Sequence, residues 1–271
     1  MSEELLRQVD AYLDAVPRTV ARAERIGPFT LFVNEGRGWR YYARPTPEAA
    51  AVTSRDVDVV RARQRALGQP EEFEWIVDLS PSVGPACAAT GLGVIEDRPL
   101  MVLPRDRFAP APGVDGAEVR FVAADEPALA PILAVPAVGF GAPGTAVGDA
   151  GAEALASHVD AMPGDVLAFQ RERIARGHTV VAAVWVEGHP VAYAAHQPVD
   201  GASEVVGVAT LPAYRRRGLG ALVTSEIAGD AFARGVQTVL LSAGDEIVAR
   251  VYERIGFTRV GTVGAAAPGL G

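Results

Sequence analysis

The run Arg215-Arg216-Arg217-Gly218-Leu219-Gly220, reached through Thr210 and Pro212, has the residue types and spacing best suited to a chemical task in this chain. Three arginines concentrate positive charge. Gly218 and Gly220 leave the main chain uncovered, so an anion's oxygens can come close to backbone N–H groups. The apolar periodicity from Leu219 onward starts a helix. The first N–H groups of a helix have no internal partner and lie at the positive end of its dipole. A diphosphate suits such a loop. An ordinary basic turn before a helix fits the same residues equally well on physical grounds alone. The loop is not a Walker loop, because the Lys-Ser/Thr pair is missing, and its glycine spacing is not that of a dinucleotide fingerprint.

The elements around this loop alternate. Strands are expected at Thr179–Val186, Val191–His196 and Glu204–Thr210, with turns at Gly188-His189-Pro190 and Asp200-Gly201. Leu219, Leu222, Val223, Ile227 and Ala231 share one face of a helix over Gly218–Arg234. A strand follows at Val236–Ser242, then a helix over Asp245–Ile255 that Asp245 can cap and Gly256 can end, then a strand at Phe257–Val263. Before them come a short strand at Val119–Ala123, a Gly/Pro/Ala-rich loop at Pro136–Gly151, and one or two helices within Gly151–Arg176. In the first part of the chain, a helix is expected over Glu3–Arg25 with a break near Pro17. Strands follow at Phe29–Val33 and Trp39–Ala43 around an Asn34–Gly38 turn, then a helix at Arg55–Leu67 and a strand at Phe73–Leu79. A short helix within Pro81–Thr90 and a strand pair at Leu92–Ile95 and Pro99–Leu103 complete it. Ala109–Gly116 (A-P-A-P-G-V-D-G) is the linker candidate, which divides the chain into 1–115 and 116–271.

A length of 271 residues with 49% hydrophobic content suffices for two cores and argues against disorder. The net charge of −8 disfavours nucleic acid and anionic membrane as partners. No stretch approaches the ~18 consecutive apolar residues of a membrane span. The polar start, Met1–Asp10, does not read as a signal peptide. One cysteine, Cys87, excludes an internal disulfide and fits a reducing cytoplasm. All 25 basic residues are arginine, a compositional bias without functional meaning. His158, His178, His189 and His196 have no ligand-like spacing, so no metal is expected.

Arg215–Gly220 resembles the R/Q-x-x-G-x-G/A pyrophosphate loop of GNAT acetyltransferases, directly after a V-x-x-x-P strand end. Asp245–Phe257 resembles a second element of that family, N-x-x-x-x-x-x-Y-x-x-x-G-F, with Asp245 in the asparagine place, Tyr252, and Gly256-Phe257. The two stand in the family's order with a strand between, and the resemblance covers Glu118–Gly264. It implies an α/β fold (α+β, mixed sheet) of the GNAT acyltransferase type, acetyl-CoA as cosubstrate, and transfer of acetyl directly to a primary amine on a small molecule or peptide. It also implies that backbone at Val208, Ala209 and Thr210 pairs with the pantetheine arm. Arg215, Arg216, Arg217, Gly218, Leu219, Gly220 and Ala221 would hold the pyrophosphate. Asp245 would stand near the cofactor, and Tyr252 would protonate the departing thiolate. Glu204 is the candidate base, read as alternating with Val206, Val208 and Thr210 on one strand face; His196 is the other candidate. A core tyrosine and a solvated glutamate are the plain alternatives for these two site residues.

The order of elements in 1–115 echoes that from Val191 onward, with Ala43-Arg44-Pro45-Thr46-Pro47 in the place of the arginine–glycine loop. Prolines there remove backbone donors. The expectation is a degenerate GNAT-like domain without cofactor, giving two tandem GNAT-like domains. It would help form the acceptor site, mediate a homodimer, or complete the fold. Alternatives for the whole are a non-catalytic acyl-CoA-binding or sensing module, and an acyltransferase with another acyl donor.

Overall fold

A computed structural model describes residues 3–34, 41–47, 49–142 and 144–270. The expected turn after Asn34 and the first two residues of the strand at Trp39–Ala43 lie outside these residues; of the rest, Ala43 alone forms a bridge. In chain order the elements are α1 (Glu3–Ala15), β1 (Ala21–Ile26), β2 (Phe29–Asn34), β3 (Arg44–Pro45), α2 (Ser54–Ala66), β4 (Phe73–Ile76), α3 (Val83–Ala88) and β5 (Gly93–Leu103). Then come β6 (Ala117–Phe121), α4 (Leu129–Gly141), α5 (Leu155–Asp160), α6 (Gly164–Ala175), β7 (Val180–Val186), β8 (His189–Val199) and β9 (Ala202–Thr210). The chain ends with α7 (Leu219–Ala233), β10 (Thr238–Ser242), α8 (Glu246–Glu253) and β11 (Thr258–Ala267). They form two compact units, discontinuous in sequence. One is Met1–Met101 with Ser242–Glu246 and Arg259–Gly271; the other is Val102–Leu241 with Ile247–Thr258.

In the second unit β6, β7, β8 and β9 pair antiparallel in that order, and β10 joins β9 in parallel. This is the mixed sheet the sequence led us to expect. Residues opposite one another on paired strands share a face. Val181, Ala183, Tyr193, Ala195 and Val206 therefore look one way, where Leu129 and Ile132 of α4 and Leu167 and Ile174 of α6 pack on them. The other face carries His196, Ser203 and Val205, and α7 packs against β7, β8 and β9 with Leu222, Val223 and Ile227 buried.

In the first unit β1, β2 and β3 are antiparallel, and Ala43 forms a parallel bridge to Phe73 at the start of β4. The chain's last strand, β11, lies antiparallel to β4, pairing Val263 with Ile76 and Ala266 with Phe73. The core gathers Phe29, Leu31, Val57, Val60, Phe73, Trp75, Val83 and Ala266, with Phe29 and Phe73 edge to face at 5.4 Å.

Three expectations are corrected. The first helix ends at Ala15, and a 3-10 turn through Pro17 leads into β1 where helix was read to Arg25. Residues 93–103 form one strand rather than a pair. The loop expected from Pro136 begins later, because α4 runs through Pro136 to Gly141. Its sequence, LAPILAVPAVGFG, is apolar on all sides and so shows no helical stripe, and a proline usually ends a helix. Packing against β8 and β9 overrides that preference.

Candidate active site

β9 supplies the first feature of the site. Its pairing with β8 changes register between Tyr193 and Ala195, so β9 holds one extra residue around Gly207–Val208. Gly207 sits at φ +67°, a conformation that side chains disfavour. A Cβ there would lie 3.0 Å from the Tyr193 ring. The sequence signal for this bulge was available, a glycine inside a valine-rich strand. The bulge reverses the alternation of faces. Ala209 pairs with Tyr193, and so shares the α4 side with Val206 and Glu204, whereas Thr210 pairs with Ala192 on the α7 side. The expectation that Glu204, Val206, Val208 and Thr210 share one face is therefore corrected.

The second feature is a split in the sheet. The parallel pairing of β10 with β9 covers Ala202, Ser203 and Glu204 and goes no further, while β9 continues to Thr210 against β8. Backbone from Val205 to Thr210 thus has its β10-facing side unpaired by strand, among the described residues. Unpaired strand edges accept added strand-like ligands.

The third feature lies at the end of that edge. After a 3-10 turn at Pro212–Tyr214, Arg216 takes φ +64° and Gly218, the residue before α7, takes φ +84°. The first bond into α7 runs from the Leu222 N–H to the Gly218 carbonyl at 3.0 Å, and no side chain caps the helix. The N–H groups of Arg216–Ala221 find no acceptor among the described residues. Successive free donors in alternating left- and right-handed conformations make an anion-binding concavity. Gly220 brings the helix start beside Thr210, whose Oγ1 would be 3.5 Å from a Cβ at 220. Leu219 is buried and anchors the helix start; Ala221 is half-buried.

The three arginines do different things. The Arg215 guanidinium donates to the carbonyls of Gly139 (2.7 Å), Ala142 (2.8 Å), Ala146 (3.2 Å) and Thr210 (3.3 Å). It braces the end of α4 and the following loop to the exit of β9, so its side chain is occupied rather than free for an anion. The Gly148 N–H to the Pro212 carbonyl and the Ala213 N–H to the Ala150 carbonyl add to the brace. Arg216 and Arg217 are exposed and make no ion pair among the described residues; Arg217 lies over the Tyr214 ring at 5.4 Å. Sequence reading did not see that α4 and residues 144–150 are fastened to this loop.

Tyr252 on α8 is buried at 7% exposure, with its ring 5.9 Å from that of Phe257. Burial pushes its hydroxyl well above the usual range, so it carries its proton at neutral pH. Glu204 is half-buried within the sheet, flanked by Gln197 on β8 and Leu240 on β10. Asp245 is exposed just before α8 and falls in the other compact unit from the remaining candidates. His196 is corrected as a base candidate. At 0% exposure it is bonded through Nδ1 to Ser203 Oγ (2.7 Å) and through Nε2 to Asp230 Oδ2 (3.0 Å), on the α7 face away from Glu204. Burial pushes its imidazole below the usual range, against the opposing pull of Asp230.

Comparison with known proteins agrees with this geometry. The sequence model of the acetyltransferase (GNAT) family matches residues 153–257. No curated protein sequence matches the chain. A GCN5-related N-acetyltransferase from Kribbella flavida is similar in structure over 98% of this chain and 96% of its own, at TM-score 0.73 and 21% identity. A tandem GNAT protein from the clavulanic acid biosynthesis pathway is similar over 88% of this chain and 78% of its own, at TM-score 0.55 and 15% identity. A GCN5-related N-acetyltransferase-like protein from Streptococcus suis is similar over 97% and 98%, at TM-score 0.55 and 11% identity. At these identities the likeness establishes fold and nothing finer. The chain thus has a GNAT-like mixed α/β fold, and residues 153–257 within it match the model of the GNAT acetyltransferase family.

Proposed function

We propose that the protein is an acetyl-CoA-dependent N-acetyltransferase that acts on a primary amine by direct transfer. The observation that carries this reading is the open edge of β9 from Val205 to Thr210, leading straight to six unpaired N–H groups before and at the start of α7. An extended amide-bearing arm ending in a diphosphate fits that sequence of donors and acceptors. When bound, acetyl-CoA supplies an activated acetyl thioester. Val208, Ala209 and Thr210 offer it strand-like pairing. Arg216, Arg217, Gly218, Leu219, Gly220 and Ala221 hold the diphosphate, and Arg215 fixes the loop in place. Glu204 takes the proton that the amine loses as its nitrogen bonds to the carbonyl carbon, directly or through water. Tyr252 gives its proton to the sulfur as the carbon–sulfur bond breaks.

The domains in this reading are 1–115 and 116–271, the first a GNAT-like domain that no longer binds cofactor. Its order β1, β2, β3, α2, β4, α3, β5 repeats that of β7 through β11, and a parallel bridge joins β3's neighbour Ala43 to β4 as β9 is joined to β10. What a cofactor would need is already filled. Arg44 is buried and paired with Glu74 on β4. The start of α2 is closed by a capping box, in which Thr53 and Asp56 bond each other's backbone N–H groups. α7 has no such cap.

Burial of Tyr252 favours a second reading, an acyl-CoA-binding module that does not turn over. A thermal-shift titration with acetyl-CoA tests the first point, beside a Gly218→Glu, Gly220→Glu double variant. A hundredfold excess over Kd adds about 2.7 kcal/mol, on the order of 5–10 °C here. No shift in the parent at millimolar acetyl-CoA removes both readings. A shift with no thiol release from any acceptor leaves the binding module.

A further inference from the structure

Arg173 on α6 is 5% exposed and has no counter-charge among the described residues. One arm, Nη2, donates to the His178 carbonyl at 3.3 Å, and the guanidinium carbon lies 5.8 Å from the centre of the Phe169 ring. The other arm, Nη1, is buried with no hydrogen-bond partner. A guanidinium taken from water without an anion is destabilising, and buried cations are ordinarily paired. The place of Arg173 explains which anion is missing. Its helix packs, through Leu167 and Ile174, on the face of the sheet that carries Tyr193 and Val206, the face to which Glu204 also belongs. The Arg173 charge acts on the Tyr193 hydroxyl, which burial raises to about 12 and which makes no hydrogen bond among the described residues. The Tyr193 ring in turn lies against Gly207, at the bulge where the open edge begins. A cation and a phenol without partners therefore stand on the same side of the sheet as Glu204, the phenol's ring next to the bulge.

We infer that Arg173, with the Tyr193 hydroxyl beside it, receives a carboxylate of the acceptor, so that the substrates are amines carrying a carboxylate: amino acids and their short derivatives. This rests on the acetyl-transfer reading above and names its substrate class. The polarity of the face suits a zwitterion, with Glu204 for the amine and Arg173 for the carboxylate. One guanidinium, with one arm already engaged and a glutamate on the same face, matches a monoanion better than a phosphate dianion. Polyamines, which bring only positive charge, would meet an unpaired cation.

The test is acetyl-CoA-dependent thiol release with matched acceptors, free L-amino acids and ω-amino acids each against its own carboxamide, with spermidine as a third arm. The expected result is turnover of at least one carboxylate member with kcat/KM about 100-fold above its carboxamide. Arg173→Gln should raise KM for that acceptor at least tenfold, with smaller change in kcat and none in the acetyl-CoA thermal shift. Arg173→Lys should restore part of the preference. Equal turnover of carboxylate and carboxamide, preference for spermidine, or equal loss on both members of a pair in Arg173→Gln overturns the assignment. Should Arg173→Gln not fold, the paired preference of the parent decides, together with its thermal stabilisation by each member in the presence of CoA. Acetyl-CoA binding with neither turnover nor stabilisation by any carboxylate member overturns the assignment and leaves cofactor binding standing. Absence of an acetyl-CoA shift removes the acetyl-transfer reading itself.

Discussion

Substituting Gly207 by alanine probes the bulge that opens the edge of β9. At φ +67° an alanine pays the left-handed penalty, about 1–2 kcal/mol. Its Cβ would also stand 3.0 Å from the Tyr193 ring, closer than ordinary contact, so the ring must move by a few tenths of an ångström. Together these come to roughly 2 kcal/mol, and a unit of this size loses about 2–4 °C for each, so the melting temperature should fall about 4–8 °C. Asparagine tolerates the left-handed region better, so Gly207→Asn should lose less backbone stability for a larger side chain. The strand can avoid the penalty by sliding one residue back into regular register, which would turn Ala209 to the opposite face and displace the backbone that meets the ligand. Calorimetric melting and isothermal titration with acetyl-CoA read both effects. Gly207→Ala melting within about 1 °C of the parent and binding acetyl-CoA with unchanged affinity would refute the reasoning, because neither strain nor the bulge would then matter.

Other changes have equally definite outcomes. Arg215→Ala removes donors from four carbonyls on three segments; at the strength of charge-assisted bonds, reduced by partial exposure, it should cost roughly 2–3 kcal/mol and speed proteinase K cleavage within 144–150. Loss of acetyl-CoA affinity without that cleavage would assign the Arg215 side chain directly to the ligand. Tyr252→Phe should leave the melting temperature within about 2 °C and lower kcat about 100-fold; an unchanged kcat removes the acid role. His196 is held below its ordinary range, so the unfolded chain binds a proton that the folded one refuses, and stability should fall as pH drops below about 6.5, by up to ~1.4 kcal/mol per pH unit. Burial raises the Asp230 carboxyl, but its bonds to Arg234 and His196 outweigh this and hold it below the usual range, which adds a further loss in stronger acid. Melting temperatures between pH 7.5 and 5.5 should show a shallower slope in His196→Gln; parallel slopes would contradict the proton count.

Reading residues alone went furthest where chemistry and periodicity coincide. The arginine–glycine run, the apolar face of α7 and the strands at 180–210 all stand where side-chain type forces them, and the second glycine-phenylalanine element follows in order. It failed where tertiary contact decides. β1 was lost because Ala21–Ile26 is half exposed and rich in helix formers. α4 was lost because a helix buried on many sides has no stripe to detect. Glu204 was placed on the right strand and on one face with Val206, but Thr210 was wrongly set on that face, since one extra residue at Gly207 inverts every assignment beyond it. The role of Arg215 was invisible for a similar reason: its four acceptors are backbone carbonyls, and sequence does not advertise those. Arg173 drew no notice either, because a lone arginine on a helix is ordinarily solvated, and only its burial makes it unusual.

The position of β11 against β4 sets a schedule for biosynthesis. The strand that completes the first unit leaves the ribosome roughly 180 residues after the edge it covers, a wait on the order of ten to forty seconds at ordinary elongation rates. During that time β4 presents an unpaired edge beside Phe73 and Trp75, the kind of surface that recruits chaperones or neighbouring nascent chains. Residues 102–241, by contrast, emerge as an almost continuous block. The second unit can therefore be nearly finished before the first is closed, and a stop codon in place of Thr258 would spare most of the second unit while leaving the amino-terminal one open.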